Sequence, residues 1–377
     1  ENVPAFGTIR RIQKWFSHNS LATFYKMTGN HSLKFGVDYR LTRANTNDPG
    51  ATASGDFTFS PVFTQANPFV NTSADTSGTG LASLLLGVPA SGSLGFTSPT
   101  SVQNHYLGLF VQDAWKVRRN LTLTLGLRYE LETPYTERYN RAAYGFDFDA
   151  PSPLVVPGLN LRGGLLFAGG GGNPRREGNL DTNNFGPRFG FAYSLNEETV
   201  IRGGYGIFYG AQAYQTDFLG TVGTYNSVTS YSGTIDNGAT PFTTLADPFP
   251  AGVRKPQGSE VGLAAQYGDS LTMFTQNRVN PYNQQWQLSV QRVFPGEMVI
   301  EAAYLGMQSL KGLQSFNLNE KPDQYLALGA AENTRVTNPF LGIFSSTSTL
   351  GTGATITQGQ LWKRHPQYVT LSQEGAN

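Results

Sequence analysis

The chain has 377 residues, with 27 Lys and Arg against 26 Asp and Glu, for a formal net charge of +1. Charged residues make up only 14%, while Gly (44), Phe (25) and Tyr (18) abound; a soluble domain carries about 25% charged residues. The even charge balance shows no nucleic-acid signature. The lack of Cys removes disulfides, thiolate metal sites and a Cys nucleophile, and a mean hydropathy of -0.30 excludes a helical membrane protein of any size.

The secondary-structure signal is a period of two, because successive strand side chains point to opposite faces. Leu21–Met27 alternates loosely, and a further strand is expected near Gly7–Phe16. Ser32–Thr42 sets Leu33, Phe35, Val37, Tyr39 and Leu41 against Lys34, Gly36, Asp38 and Arg40. A long polar segment, about Arg43–Ser101, follows. Within it Leu81–Leu86 has the composition of a short helix, read as packing on a rim rather than inserting into a membrane.

His105–Val117 alternates less cleanly. Leu121–Leu131 alternates without exception: Leu121, Leu123, Leu125, Leu127, Tyr129 and Leu131 oppose Thr122, Thr124, Gly126, Arg128 and Glu130. A one-residue slip would throw Arg128 onto the apolar face, which in a bilayer costs roughly 2–4 kcal/mol. Thr133–Asn183 is again long and polar. Its Asp147 and Asp149 read as a solvated loop rather than a calcium site, and Gly169–Gly172 as a loop tip, since no Lys-Ser/Thr follows. Phe185–Leu195 and Val200–Tyr209 are strands, Ala211–Asn283 is a third long segment, and Gln284–Phe294 and Met298–Leu305 complete eight strands.

Short turns join the strands in pairs: Met27–His31, Val117–Leu121, Leu195–Val200 and Phe294–Met298. Loops as long as those between the pairs are uncommon in compact soluble domains. Short turns at one end and long loops at the other mark bacterial outer-membrane barrels. The expected fold class is therefore all-β: an antiparallel transmembrane β-barrel of the outer-membrane type. It is read here as an incomplete barrel wall with long extracellular loops and short periplasmic turns, localised to the Gram-negative cell outer membrane.

Tyr106–Glu130 (YLGLFVQDAWKVRRNLTLTLGLRYE), Asn184–Tyr209 and Asn280–Gly306 (with NPYNQQWQLSVQR), followed in order by Asn338–Phe340 and Gln360–Tyr368, resemble the barrel of TonB-dependent transporters of the Oar-like family. The resemblance implies a barrel of 22 strands filled by an N-terminal plug that contacts TonB through a short box. The sequence opens on Glu1 with no basic and apolar leader and ends on polar Asn377. Residues 1–377 are accordingly expected to be part of one barrel domain, with signal peptide, plug and C-terminal strands outside it.

If the apolar faces meet lipid, Lys34, Asp38, Arg40, Arg128, Glu130, Arg188 and Arg202 face the lumen, where they contact the plug, line the path or simply keep the lumen wet. Tyr39, Trp115, Tyr129, Tyr205 and Tyr209 are expected to form interfacial aromatic girdles. His18, His31, His105 and His365 are scattered and read as surface or rim residues, with no metal, cofactor or catalytic set expected. The partners expected are outer-membrane lipid and a ligand captured by Thr133–Asn183 and Ala211–Asn283; the resemblance implies a plug and the TonB complex, and leaves the ligand open among peptide, protein and glycan-derived substrates or export. The rivals are a secreted all-β adhesin or carbohydrate-binding sandwich, whose apolar strand faces would be covered by a second sheet, and an outer-membrane barrel enzyme.

Overall fold

The computed structural model describes residues 12–47, 53–67, 77–210, 225–234, 240–250, 252–345, 348–351 and 353–375. Eight long strands form one continuous antiparallel wall: β1 (Ile12–Thr28), β2 (His31–Asn47), β3 (Thr100–Arg118), β4 (Leu121–Glu132), β5 (Asn184–Ser194), β6 (Thr199–Tyr209), β7 (Tyr282–Phe294) and β8 (Met298–Leu310). Each pairs with its sequence neighbours in the order β1 to β8, and the two outermost strands do not pair with each other, so the sheet is open. Every strand is at least 11 residues long, enough for the roughly 9–11 residues a tilted spanning strand needs.

The expected eight strands are all present and antiparallel to their sequence neighbours. The strand expected near Gly7–Phe16 is not separate: Ile12–Phe16 is the start of β1, and residues 7–11 lie outside the described residues. The first three strands also run further than their alternation, since Asn45 still pairs with Ser101 and Thr46 with Thr100. Backbone pairing continues past the level at which side chains sort by polarity.

The turns at one end are short for identifiable reasons. Gly29 (φ 54) closes the β1–β2 turn in the left-handed region, and Gly296 (φ 83) and Glu297 (φ 62) close that between β7 and β8. Asn196 Oδ1 accepts from the backbone N–H groups of Glu198 (3.0 Å) and Thr199 (2.8 Å), an Asx turn that starts β6. No helix of the described residues is long and apolar enough to cross a membrane.

The apolar face of the wall is uncovered. Leu125 is 45% exposed and Leu127 44%, and Phe35, Leu109, Val111, Phe189, Leu288 and Val290 are exposed beside them. A contiguous apolar surface of this kind is abnormal for a soluble monomer and is the outward band of a membrane barrel. Among the described residues, the second sheet that a sandwich requires is not packed on it.

Much of the long connections packs into an interior of its own. Residues 143–167, 261–274 and 318–371 meet in one hydrophobic core that includes Leu165, Phe340, Tyr368 and Leu371, each at most 1% exposed. Short strands knit this cap together: Ala143–Pro151 with Arg162–Phe167, and Leu271–Phe274 with Leu371–Gly375, itself paired to Gln314–Asn317.

Candidate functional site

The paired register puts all seven charged residues singled out above on one face of the wall. Lys34 lies opposite Gln112, Asp38 opposite Gly108 and Arg40 opposite Tyr106. Arg128 lies opposite Phe110 and Gly186, Glu130 opposite Gly108 and Asn184, Arg188 opposite Gly126 and Gly206, and Arg202 opposite Ala192 and Ser289.

Asp38 is the hub. Arg40 Nη2 and Nε donate to its two oxygens at 2.6 and 3.1 Å, and Arg128 Nη2 donates to Oδ2 at 2.9 Å. Arg128 also donates from Nε to Glu130 Oε1 (2.8 Å) and from Nη2 to the Tyr106 hydroxyl (2.7 Å), while the Arg40 guanidinium lies 4.9 Å from the Tyr106 ring centre. Gly108 makes this possible, since a methyl group on it would stand 2.5 Å from Arg128 Nη2. Charge-assisted bonds of this kind are the strong ones, and here they lock two cations to two carboxylates.

The other charges are arranged differently. Arg202 reaches Gln291 Oε1 at 3.0 Å. Lys34 and Arg188 have no carboxylate within ion-pair distance among the described residues. They lie over aromatic rings instead: Lys34 Nζ is 5.6 Å from the Tyr25 centroid and 5.9 Å from that of Phe110, and the Arg188 guanidinium is 4.6 Å from Phe208. Tyr106, Phe110 and Phe208 were invisible as site residues in the sequence. Their parity matches that of the charges beside them, but an aromatic residue in a strand suggests the apolar face first.

Tyr39, Trp115, Tyr129, Tyr205 and Tyr209 lie on the opposite, apolar face. Tyr129 packs on Phe185 (4.9 Å) and Tyr209 on Tyr282 (5.6 Å) near the long-loop end, and Trp115 stacks on His31 (5.3 Å) near the short turns. Tyr205 sits mid-strand opposite Trp286, and Tyr39 bonds to His105 Nδ1 at 2.8 Å. His31 Nδ1 lies 2.6 Å from Asp113 Oδ2, which explains why β3 alternates poorly: it carries a carboxylate on its apolar face and Tyr106 and Phe110 on its polar one.

Several features outside the wall strands prove structural. Asp147 Oδ1 accepts from the N–H groups of Asp149 and Ala150, capping a turn. Gly169, Gly171 and Gly172 have positive φ in an exposed turn. Leu81–Leu86 supplies a helix, Gly80–Leu85, started by Thr79, whose side chain accepts from Ala82 N at 3.1 Å. His365 departs from the surface reading: it is 2% exposed, and its Nδ1 donates to Arg162 O (2.8 Å). Burial pushes its pKa below the usual value.

Of the expected ligand loops, residues 211–224 lie outside the described residues. Tyr135 and Tyr267 of these loops are buried, not displayed, and the Tyr267 hydroxyl donates to Gly163 O at 2.9 Å. Beside Tyr135, whose carbonyl accepts from its backbone N–H, burial pushes the Glu177 carboxyl up to about 8, with Arg278 opposing and Glu137 adding to the shift.

Solved structures with a similar trace include the outer membrane transporter YddB from Escherichia coli (12% identity, 82% of this chain and 27% of that one, TM-score 0.42). A mutant of the ferric enterobactin receptor PfeA from Pseudomonas aeruginosa (10%, 97% and 31%, 0.37) and the ferric yersiniabactin uptake receptor FyuA from Yersinia pestis (9%, 81% and 32%, 0.33) are also similar. The chain thus spans about a third or less of the length of these proteins. No curated protein matches it. The family model described as "Outer membrane beta barrel domain" matches residues 6–365, which with the bare apolar band localises the protein to a Gram-negative outer membrane: the chain belongs to the outer membrane β-barrel family.

Proposed function

We propose that the chain is part of the wall of a TonB-dependent transporter of the Oar-like kind, that its charged face lines the lumen, and that it is not an enzyme. The observation that carries this reading is the sorting of one open sheet into a bare apolar face and a face of partly buried ion pairs. Lipid solvates the first, and the second suits a hydrated, occupied interior.

The hairpin of β3 and β4, which carries FVQDAWKV and NLTLTLGLRYE, adds the sequence resemblance to TonB-dependent barrels. On this reading residues 1–377 form part of one barrel domain. Tyr39, Trp115, Tyr129, Tyr205 and Tyr209 face lipid, and the short turns are periplasmic. The cap is extracellular and meets the ligand, and a plug and the TonB complex act through other parts of the parent protein.

The chain has no native Cys, so single-Cys labelling tests the wall directly. In the parent protein in native membranes, Leu125→Cys reacts with a lipid-soluble maleimide and Thr124→Cys with a water-soluble one. If Leu125→Cys is inert to both and the protein washes off the membrane, the apolar face is a covered core and the wall reading is lost. Binding of the full-length protein to the purified periplasmic domain of TonB tests the finer assignment. No retention removes TonB from the reading and leaves the wall.

A further inference from the structure

Beside the ion-paired hub, the charged face carries a groove of about 600 Å³. Its floor is Gly190 paired with Gly204, where side chains would otherwise fill the space. Gln112, Gln285 and Gln287 stand around it, with Leu305 and Met307 on the side of β8. Arg188 closes the other side and also borders the neighbouring hollow that holds Lys34, Asp38, Arg40 and Arg128.

Arg188 is placed with care but left without an anion. Its partners across the sheet, Gly126 and Gly206, leave room on both sides. Phe208, which lies back over Gly206, supports the guanidinium. The guanidinium makes no hydrogen bond among the described residues, and its Nε is enclosed without an acceptor. Its two terminal nitrogens are not enclosed, and these are the donors left open to an anion. The nearby carboxylates are already taken, Asp38 by Arg40 and Arg128 and Glu130 by Arg128. Four cations face two carboxylates here, and Lys34, like Arg188, is not ion-paired among the described residues.

We propose that this groove is a seat for a carboxylate carried on an extended, peptide-like chain, with Arg188 binding the carboxylate. Amide side chains that both donate and accept match the N–H and C=O groups of a peptide, and a glycine floor admits its main chain. The inference rests on the charged face being the lumen. The carboxylate has two sources that share this chemistry: an acidic segment of the parent protein itself, or an anionic solute in transit.

The test uses Leu305→Cys as a reporter at the groove, in the full-length parent protein in native membranes, with a water-soluble maleimide and the peptide triglutamate as probe. If the occupant is a solute, triglutamate slows labelling at least tenfold. Triglutamine does not, and Arg188→Gln abolishes the protection. If the occupant is a segment of the protein, the reporter is closed without added peptide, and Arg188→Gln opens it at least tenfold. In both cases Arg188→Lys keeps part of the effect, and heat-modifiable migration on gels confirms that each variant is folded.

Labelling unchanged by triglutamate and by Arg188→Gln overturns the seat. If Leu125→Cys still reacts from lipid in that experiment, the seat alone has failed and the wall stands. If Leu125→Cys fails as well, the wall reading falls first.

Discussion

Leu125 in the wall and Leu165 in the cap are both strand leucines, yet one is 45% exposed and the other 1%. The wall strands contribute only Ala44 and Val102 to the buried hydrophobic residues among those described; the rest lie in the connections and in the segment that follows β8. The cap is a conventional protein interior closed by protein atoms, with Phe340 stacked on Phe344 at 4.6 Å and Tyr368 edge-on to Tyr267 at 5.4 Å. The wall has no such interior, so its stability rests on ladder hydrogen bonds, on lipid against one face and on ion pairs on the other. Two solvents impose two rules of construction.

The largest expected effect separates the two regions. Phe340→Ala should cost about 3–5 kcal/mol, as for other fully buried aromatics, and should make the cap exchange amide hydrogens freely while β4 and β5 stay protected. Loss of protection in both would show that wall and cap are one cooperative unit. Next comes Leu125→Arg, expected to cost roughly 2–4 kcal/mol when the protein folds into lipid vesicles. Thr124→Arg, one residue away on the other face, should cost far less. Equal penalties in urea titrations would mean that the two faces do not meet different solvents.

Arg128→Gln leaves the mostly buried Asp38 and Glu130 short of a donor and should cost about 1–3 kcal/mol. A double-mutant cycle with Asp38→Asn should recover part of that loss. Additive effects would show that the pair is not coupled.

A last effect concerns pH at Glu177. Burial holds the Glu177 carboxyl protonated up to about 8, far above its unfolded value. The folded state therefore binds more protons than the unfolded one between those values, and stability falls as pH rises through that window. Protease resistance of the connections around Glu177 should weaken from pH 5 to pH 8, and Glu177→Gln should flatten the profile. An unchanged slope in the variant would place the titration elsewhere.

The alternation in Leu121–Leu131 and Phe185–Leu195 is enough to read strands, faces and register, because a period-two code is local and each residue reports its own face. The same code assigns Asp38, Arg128 and Arg188 to the polar face by parity alone. Its weak points are where face and polarity disagree, as at Asp113 on the apolar face and at Tyr106 and Phe110 on the charged one. Those residues are settled by cross-strand neighbours, which alternation does not contain.

The wall can be read from the chain of residues alone: its strands, their order, its two faces and the asymmetry of short turns and long loops. The tertiary structure alone decided the cap, where Phe146, Leu271, Phe340 and Tyr368 are brought together from segments far apart in the chain and without periodicity. It also decided which cations are matched and which are not. Arg40 and Arg128 share Asp38, while Arg188 rests on Phe208 beside a glycine floor. Local patterns fix which way a side chain points; only the pairing of distant strands fixes what it meets there.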